Sequence, residues 1–174
     1  MTILAIDPGN EQSAWCLYDG ARPRAFGKGP NARVLDLVKH PYGALQVHVE
    51  HLAIEMIASF GMPVGAEVFD TVRWIGRFEQ AWSFRDEQAV MVYRRDVKLH
   101  LCGSSRAKDG NVRQALIDRW GGKAAALGTK AKPGPLYGFK ADAWQALAVA
   151  VTYSDTQSQL CATTQANAKQ CVAP

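Results

Sequence analysis

The chain has 174 residues, 48% of them apolar and 21% charged, with a formal net charge of +4. That length holds one domain with a proper core, and that composition excludes a fibrous or wholly disordered chain. No window approaches the roughly 18 uninterrupted apolar residues of a membrane-spanning helix. The N-terminus lacks the basic-then-apolar pattern of a secretion signal, so a cytoplasmic location is expected. The charge permits a nucleic-acid partner without demanding one. Cys16, Cys102, Cys161 and Cys171 are scattered without CxxC spacing, which argues against a zinc site or a dithiol motif. Cys16 and Cys102 read as core thiols of a reduced protein.

Ile3-Leu4-Ala5-Ile6 is a short apolar run that reads as a buried β-strand. Asp7 stands at its end and Pro8-Gly9-Asn10 stops it, so the carboxylate lies where open α/β sheets carry their ligands. Residues 13–18 read as a second strand and Asp19-Gly20 as a turn into a third around residues 24–27. Asn31 is placed to cap a helix through Lys39, with Val34, Leu35 and Val38 on one face, and His40-Pro41 ends it. Leu52-Ala53-Ile54 then runs into Glu55, and Met56-Ile57 continues that strand. A buried carboxylate is costly unless it is paired or holds a metal. Two acids on two core strands therefore suggest a cation site.

A turn at residues 62–65 precedes a long helix over residues 66–82 with mixed faces. Arg73 and Arg77 lie one turn apart on it and can reach phosphates, though a solvated face explains them almost as well. Phe69, Trp74 and Phe78 exceed what one buried stripe needs, which marks this helix as an interface. Residues 89–93 read as a helix end and 97–102 as a strand. Residues 109–120 form a helix closed by Gly121-Gly122. Residues 123–138, rich in Gly, Lys and Pro, read as a mobile loop. Residues 140–151 form an Ala-rich helix with Asp142 in its first turn. An acid there also suits the helix dipole, but two other acids await a partner. Residues 154–174 are polar and read as a disordered tail behind a domain of residues 1–153. The order of elements gives an α/β fold with a mixed sheet.

The segments ILAIDPGN, LAIEMI and KADAWQALAVAVTY resemble, in the same order, the three signature segments of RuvC-type Holliday-junction resolvases. Between them, RRDVKLHLCGSSRAKDGNVRQALIDRW resembles the strand-loop-helix that precedes the family's last acid. The resemblance implies an RNase H-like mixed five-stranded sheet flanked by helices, a homodimer, and Mg²⁺-dependent nicking of four-way junctions or other branched DNA. The compact length points to a phage or prophage branch.

Phosphodiester hydrolysis needs an activated water and a stabilised leaving oxygen, and two Mg²⁺ ions about 4 Å apart supply both. Mg²⁺ takes few protein ligands and prefers carboxylate oxygen; Mn²⁺ is expected to substitute. Asp7 would bridge the ions, with Glu55 and Asp142 each favouring one. The family's fourth acid falls at Gln145, a poorer ligand, and Asp109 is a candidate to compensate as well as a good N-cap. Lys98, Arg106 and Lys108 match stretches where the family carries functional basic residues. Lys108 is the candidate for charge stabilisation in the transition state, against the plain reading of a solvated lysine. Lys123, Lys130 and Lys132 can follow a DNA arm. Phe60 is a candidate wedge at an unstacked base, against a core or turn role. The four histidines show no metal-type spacing. Two other classes remain open. An actin-like nucleotide-binding ATPase wants a second Gly-rich phosphate loop, and the stretch after Glu55 offers none. A catalytically weak DNA-binding scaffold is favoured only by Gln145.

Overall fold

Five strands form one mixed sheet in the order β3-β2-β1-β4-β5. They are β1 (Ile3–Asp7), β2 (Gln12–Tyr18), β3 (Pro23–Pro30), β4 (His51–Met56) and β5 (Val90–Tyr93). The computed structural model describes residues 1–58, 63–83 and 88–170. β1, β2 and β3 pair antiparallel, whereas β4 lies parallel to β1 and β5 parallel to β4. The helices are α1 (Asn31–Lys39), α2 (Pro41–Leu45), α3 (Ala66–Ser83), α4 (Arg94–Cys102), α5 (Asp109–Arg119), α6 (Gly122–Ala126) and α7 (Ala143–Gln170).

Alternation along β1 sets the layers. Leu4 and Ile6 join Leu52 and Ile54 in a core closed by α1 and α3. Ile3 and Ala5 join Ala53 and Val92 in a second core closed by α5 and α7. In α7, Ala143, Ala146, Ala148 and Ala150 are buried beside Leu147, so the helix backbone approaches the sheet closely. A side chain of period two therefore chooses its layer by parity, and the parity of Ile3 and Ala5 is also that of Asp7.

The mixed sheet flanked by helices matches the sequence expectation; several local readings do not. Residues 89–93 hold strand β5, and residues 97–102 lie in helix α4. Val97, Leu99 and Leu101 imitate strand alternation, but Val97 is buried while Leu99 is 55% exposed. Residues 123–138 are anchored: α6 occupies their start, Gly128 bridges Pro133, and Leu136 is fully buried. Composition hid those anchors. Residues 154–170, expected to be disordered, continue α7 as helix. Their Ala and Gln favour helix, and Thr156, Ser158, Thr163 and Thr164 each donate to the carbonyl four residues back, so those hydroxyls do not compete for other conformations. Finally, Phe78 is fully buried and serves the core, so on α3 only Phe69 and Val72 of the large apolar residues are 40% exposed or more.

Candidate active site

Strand register builds the site. Ile6 pairs with Ile54 across β1 and β4, so Asp7 and Glu55 come one step later, on the same face of adjacent strands about 5 Å apart. Asp7 pairs with Ala14 on β2, and Ala14 pairs with Lys28 on β3. On the other side, Glu55 pairs with Val92 on β5. One transverse row thus reads Val92, Glu55, Asp7, Ala14, Lys28, all facing α7. The small Ala14 leaves room above the row, and the start of α7 fills it.

Asp142 immediately precedes α7 rather than lying in its first turn; its carbonyl accepts the N–H groups of Gln145 and Ala146. Its carboxylate takes a hydrogen bond from Lys28 Nζ at 2.5 Å. The approach to it is fixed. Phe139 stacks on Phe26 of β3 at 3.7 Å and meets Trp144 at 5.3 Å. Ala141 has φ of 40°, a left-handed backbone that a non-glycine residue seldom adopts. Such local strain next to an acid is a mark of functional geometry.

The turn after Asp7 is clamped by buried polar groups that sequence reading missed. Asn31 is the first residue of α1 rather than its cap, and it is buried. Its amide donates to the carbonyls of Gly9 (2.9 Å) and Asn10 (3.1 Å), and its Oδ1 accepts from Ser13 Oγ at 2.6 Å. Ser13 Oγ accepts the Gly9 N–H at 3.3 Å. A Cβ on Gly9 would stand 2.4 Å from the Gln12 carbonyl oxygen, so the turn admits only glycine.

Electrostatics mark Asp7. Burial, then the neighbouring Glu55 and Asp142 carboxylates, push its pKa up from 3.8 to about 8, against the opposing pull of Arg94. Asp7 is thus an acid short of positive charge beside a second carboxylate. Arg94 is a further residue that sequence reading missed. It follows β5 directly, and its guanidinium donates to Glu55 Oε1 and to Asp109 Oδ2, each at 2.8 Å. Its signal was available: a charged residue at the C-terminal end of a β-branched run, as with Asp7. Asp7, Glu55 and Arg94 line one cavity of about 240 Å³.

The remaining candidates divide by position. Asp109 is the first residue of α5, with Lys108 before it as cap, and its carboxylate also pairs with Lys98 at 3.6 Å. Gln145 lines a neighbouring cavity with Asp109, Arg113 and Trp144. Arg106, Lys108, Lys130 and Lys132 are exposed. Arg73 pairs with Asp70 at 3.4 Å, and Arg77 lies over the Trp74 ring at 4.6 Å. Phe60 lies outside the described residues. His100 bonds Asp155 and His51 packs edge-on to Tyr153, in keeping with structural roles.

Among the described residues no three His, Cys, Asp or Glu side chains gather closely enough to hold one metal ion. Asp142 and Asp109 are turned toward cationic partners. The Asp7–Glu55 pair by itself fits a hard divalent cation, since it offers two carboxylates against the single guanidinium of Arg94, and Mg²⁺ keeps most of its waters.

No protein-family model matches the chain, and no curated protein matches it. Solved structures do. Thermus thermophilus RuvC is similar at 19% identity and a TM-score of 0.59, over 87% of this chain and 92% of that one. The chain has a RuvC-like fold. T. thermophilus RuvC in complex with a Holliday junction substrate is similar to the same degree, at 18% identity, a TM-score of 0.59, and the same 87% and 92% of the two chains. The RuvC-like, RNase H-like architecture is the one that the three ordered segments implied. No described helix is long and apolar enough to cross a membrane.

Proposed function

We propose that the chain is a metal-dependent endonuclease for branched DNA, with the four-way junction as its leading substrate. The observation that carries this reading is the Asp7–Glu55 pair: two acids in register on one sheet face, with Asp142 brought over them by α7. The nucleotide-binding alternative is not favoured. When bound, a divalent ion such as Mg²⁺ acidifies a water and withdraws charge from the phosphate.

The chain's own residues do the rest. Asp7 and Glu55 would hold the ion, and Asp7 would release to solvent the proton that burial makes it keep. Asp142, paired with Lys28, stands beside the two acids at the start of α7, and the Lys28 ammonium is at hand for a phosphate oxygen. Lys108, exposed beside Asp109 at the start of α5, stabilises charge on the phosphate. Lys98, Arg106, Arg73, Arg77, Lys130 and Lys132 contribute contacts to the DNA backbone, which position without reading sequence. A four-way junction has near two-fold symmetry and needs two cuts, so a two-fold homodimer is the matching assembly.

The test offers four-way junction, flap, duplex and RNA–DNA hybrid to the purified protein with Mg²⁺, with ATP turnover measured in parallel. Junction cleavage is expected, with Mn²⁺ substituting for Mg²⁺. Asp7→Asn and Glu55→Gln should each lower it by more than about 100-fold while junction binding persists. ATP turnover without cleavage, or near-normal cleavage by either variant, sinks the reading.

A further inference from the structure

The acids around the site already have cations of their own. Arg94 bridges Glu55 and Asp109 with two 2.8 Å hydrogen bonds, Lys98 stands 3.6 Å from Asp109, and Lys28 holds Asp142. Four carboxylates, those of Asp7, Glu55, Asp109 and Asp142, thus face three fixed positive side chains. Two divalent ions would suit the four acids alone. Arg94 occupies the place between Glu55 and Asp109 where a second ion would otherwise be held.

Arg94 is built into place. Glu55 pairs with Val92 and Met56 with Tyr93, so Arg94 comes directly after the last paired position of β5 and begins α4. Glu55 is only 6% exposed, and a carboxylate so buried needs a permanent partner. A guanidinium cannot lose its charge and has five N–H donors in a planar fork. Two are engaged by Glu55 and Asp109, which leaves others for the cavity that Arg94 lines with Asp7. Gln145, a neutral amide, lies in the adjoining cavity and adds no charge for a second ion.

We propose that Arg94 is a resident cation standing in for one of two divalent ions, so that the site takes a single ion between Asp7 and Glu55. The proposal rests on the nuclease reading for its purpose but not for its test. Mn²⁺ bound to the metal-sensitive site of the free full-length chain is counted by electron paramagnetic resonance and calorimetry, without DNA. One ion per chain is expected, and none in Asp7→Asn. Arg94→Ala, which strips Glu55 and Asp109 of their partner, should bind two. Asp109→Asn should still bind one, with affinity changed less than about threefold. Two ions or none in the unaltered protein overturns the proposal, as does loss of the ion in Asp109→Asn or a folded Arg94→Ala that binds only one. Should Arg94→Ala fail to fold, the counts for the unaltered protein and Asp109→Asn still decide. Cleavage assays run beside these counts keep the two readings apart. One bound ion with no branched DNA cut removes the nuclease reading and leaves Arg94 in its role. Two ions with junctions cut does the reverse.

Discussion

Asp7 is a carboxyl whose folded-state pKa lies at about 8 instead of 3.8, chiefly through burial and then through Glu55 and Asp142. The native state therefore binds this proton more tightly than the unfolded chain does. The resulting stabilisation is complete below pH 3.8 and is lost as pH rises through about 8. The metal-free protein should thus weaken across that window. Asp7→Asn should be flatter over it and more stable at pH 8, by on the order of 1–3 kcal/mol once solvent screening is allowed for. Thermal melts from pH 4 to pH 8 without divalent ions check this; parallel pH profiles for the two proteins would dispose of it. Mg²⁺ should raise the melting temperature of the unaltered protein and not that of the variant. Asp7, Glu55 and Asp142 were legible in the sequence because each interrupts an apolar pattern. Arg94 was overlooked, because the strand ahead of it was taken for a helix end, which hid a charged residue closing a β-branched run.

Elements, rather than residues, decide how well the first acid is aimed. The turn after β1 is held by α1 and β2 through Asn31 and Ser13. Asn31→Ala removes three hydrogen bonds and leaves Ser13 and two carbonyls in need of partners. It should cost about 2–4 kcal/mol and should lower cleavage further than that loss of fold explains, measured well below the melting point. Normal cleavage per folded molecule would show that the clamp does not aim Asp7. Periodicity read β1 and β4 correctly because both are short, apolar and abruptly ended. It exchanged β5 and α4 because a nine-residue helix with Val97, Leu99 and Leu101 is too short to reveal its turn. It also treated residues 123–138 by composition, where one buried leucine outweighs several surface lysines and glycines.

The whole molecule leaves Phe69 60% exposed and Val72 40% exposed on α3, beside Arg73 and Arg77. With Phe78 assigned to the core, these two apolar groups are the surface that the proposed dimer would use. Phe69→Glu should turn a dimer into a monomer with a stability change within about 0.5 kcal/mol, and junction cuts should lose their pairing. Light scattering on the free and junction-bound protein checks it; a strict monomer before the substitution would remove the dimer from the scheme. The α/β class and mixed sheet were legible at this scale because four of the five strands follow from pattern, while the five-stranded count came from the resemblance of the ordered segments. The extension of α7 was not, because a polar helix without a packing stripe looks like a solvated coil.

The contact between Lys28 and Asp142 spans 114 positions of the chain. Asp142 leaves the ribosome 87 residues after Glu55, a delay of roughly 4–17 s at ordinary rates of synthesis. The first two acids therefore exist early, on strands whose covering helix has not yet been made. Docking of α7 is the event that brings in the third acid and closes the α5–α7 core over the sheet. A growing chain carries the first two acids on an uncovered sheet, and the third joins them only when the last helix emerges.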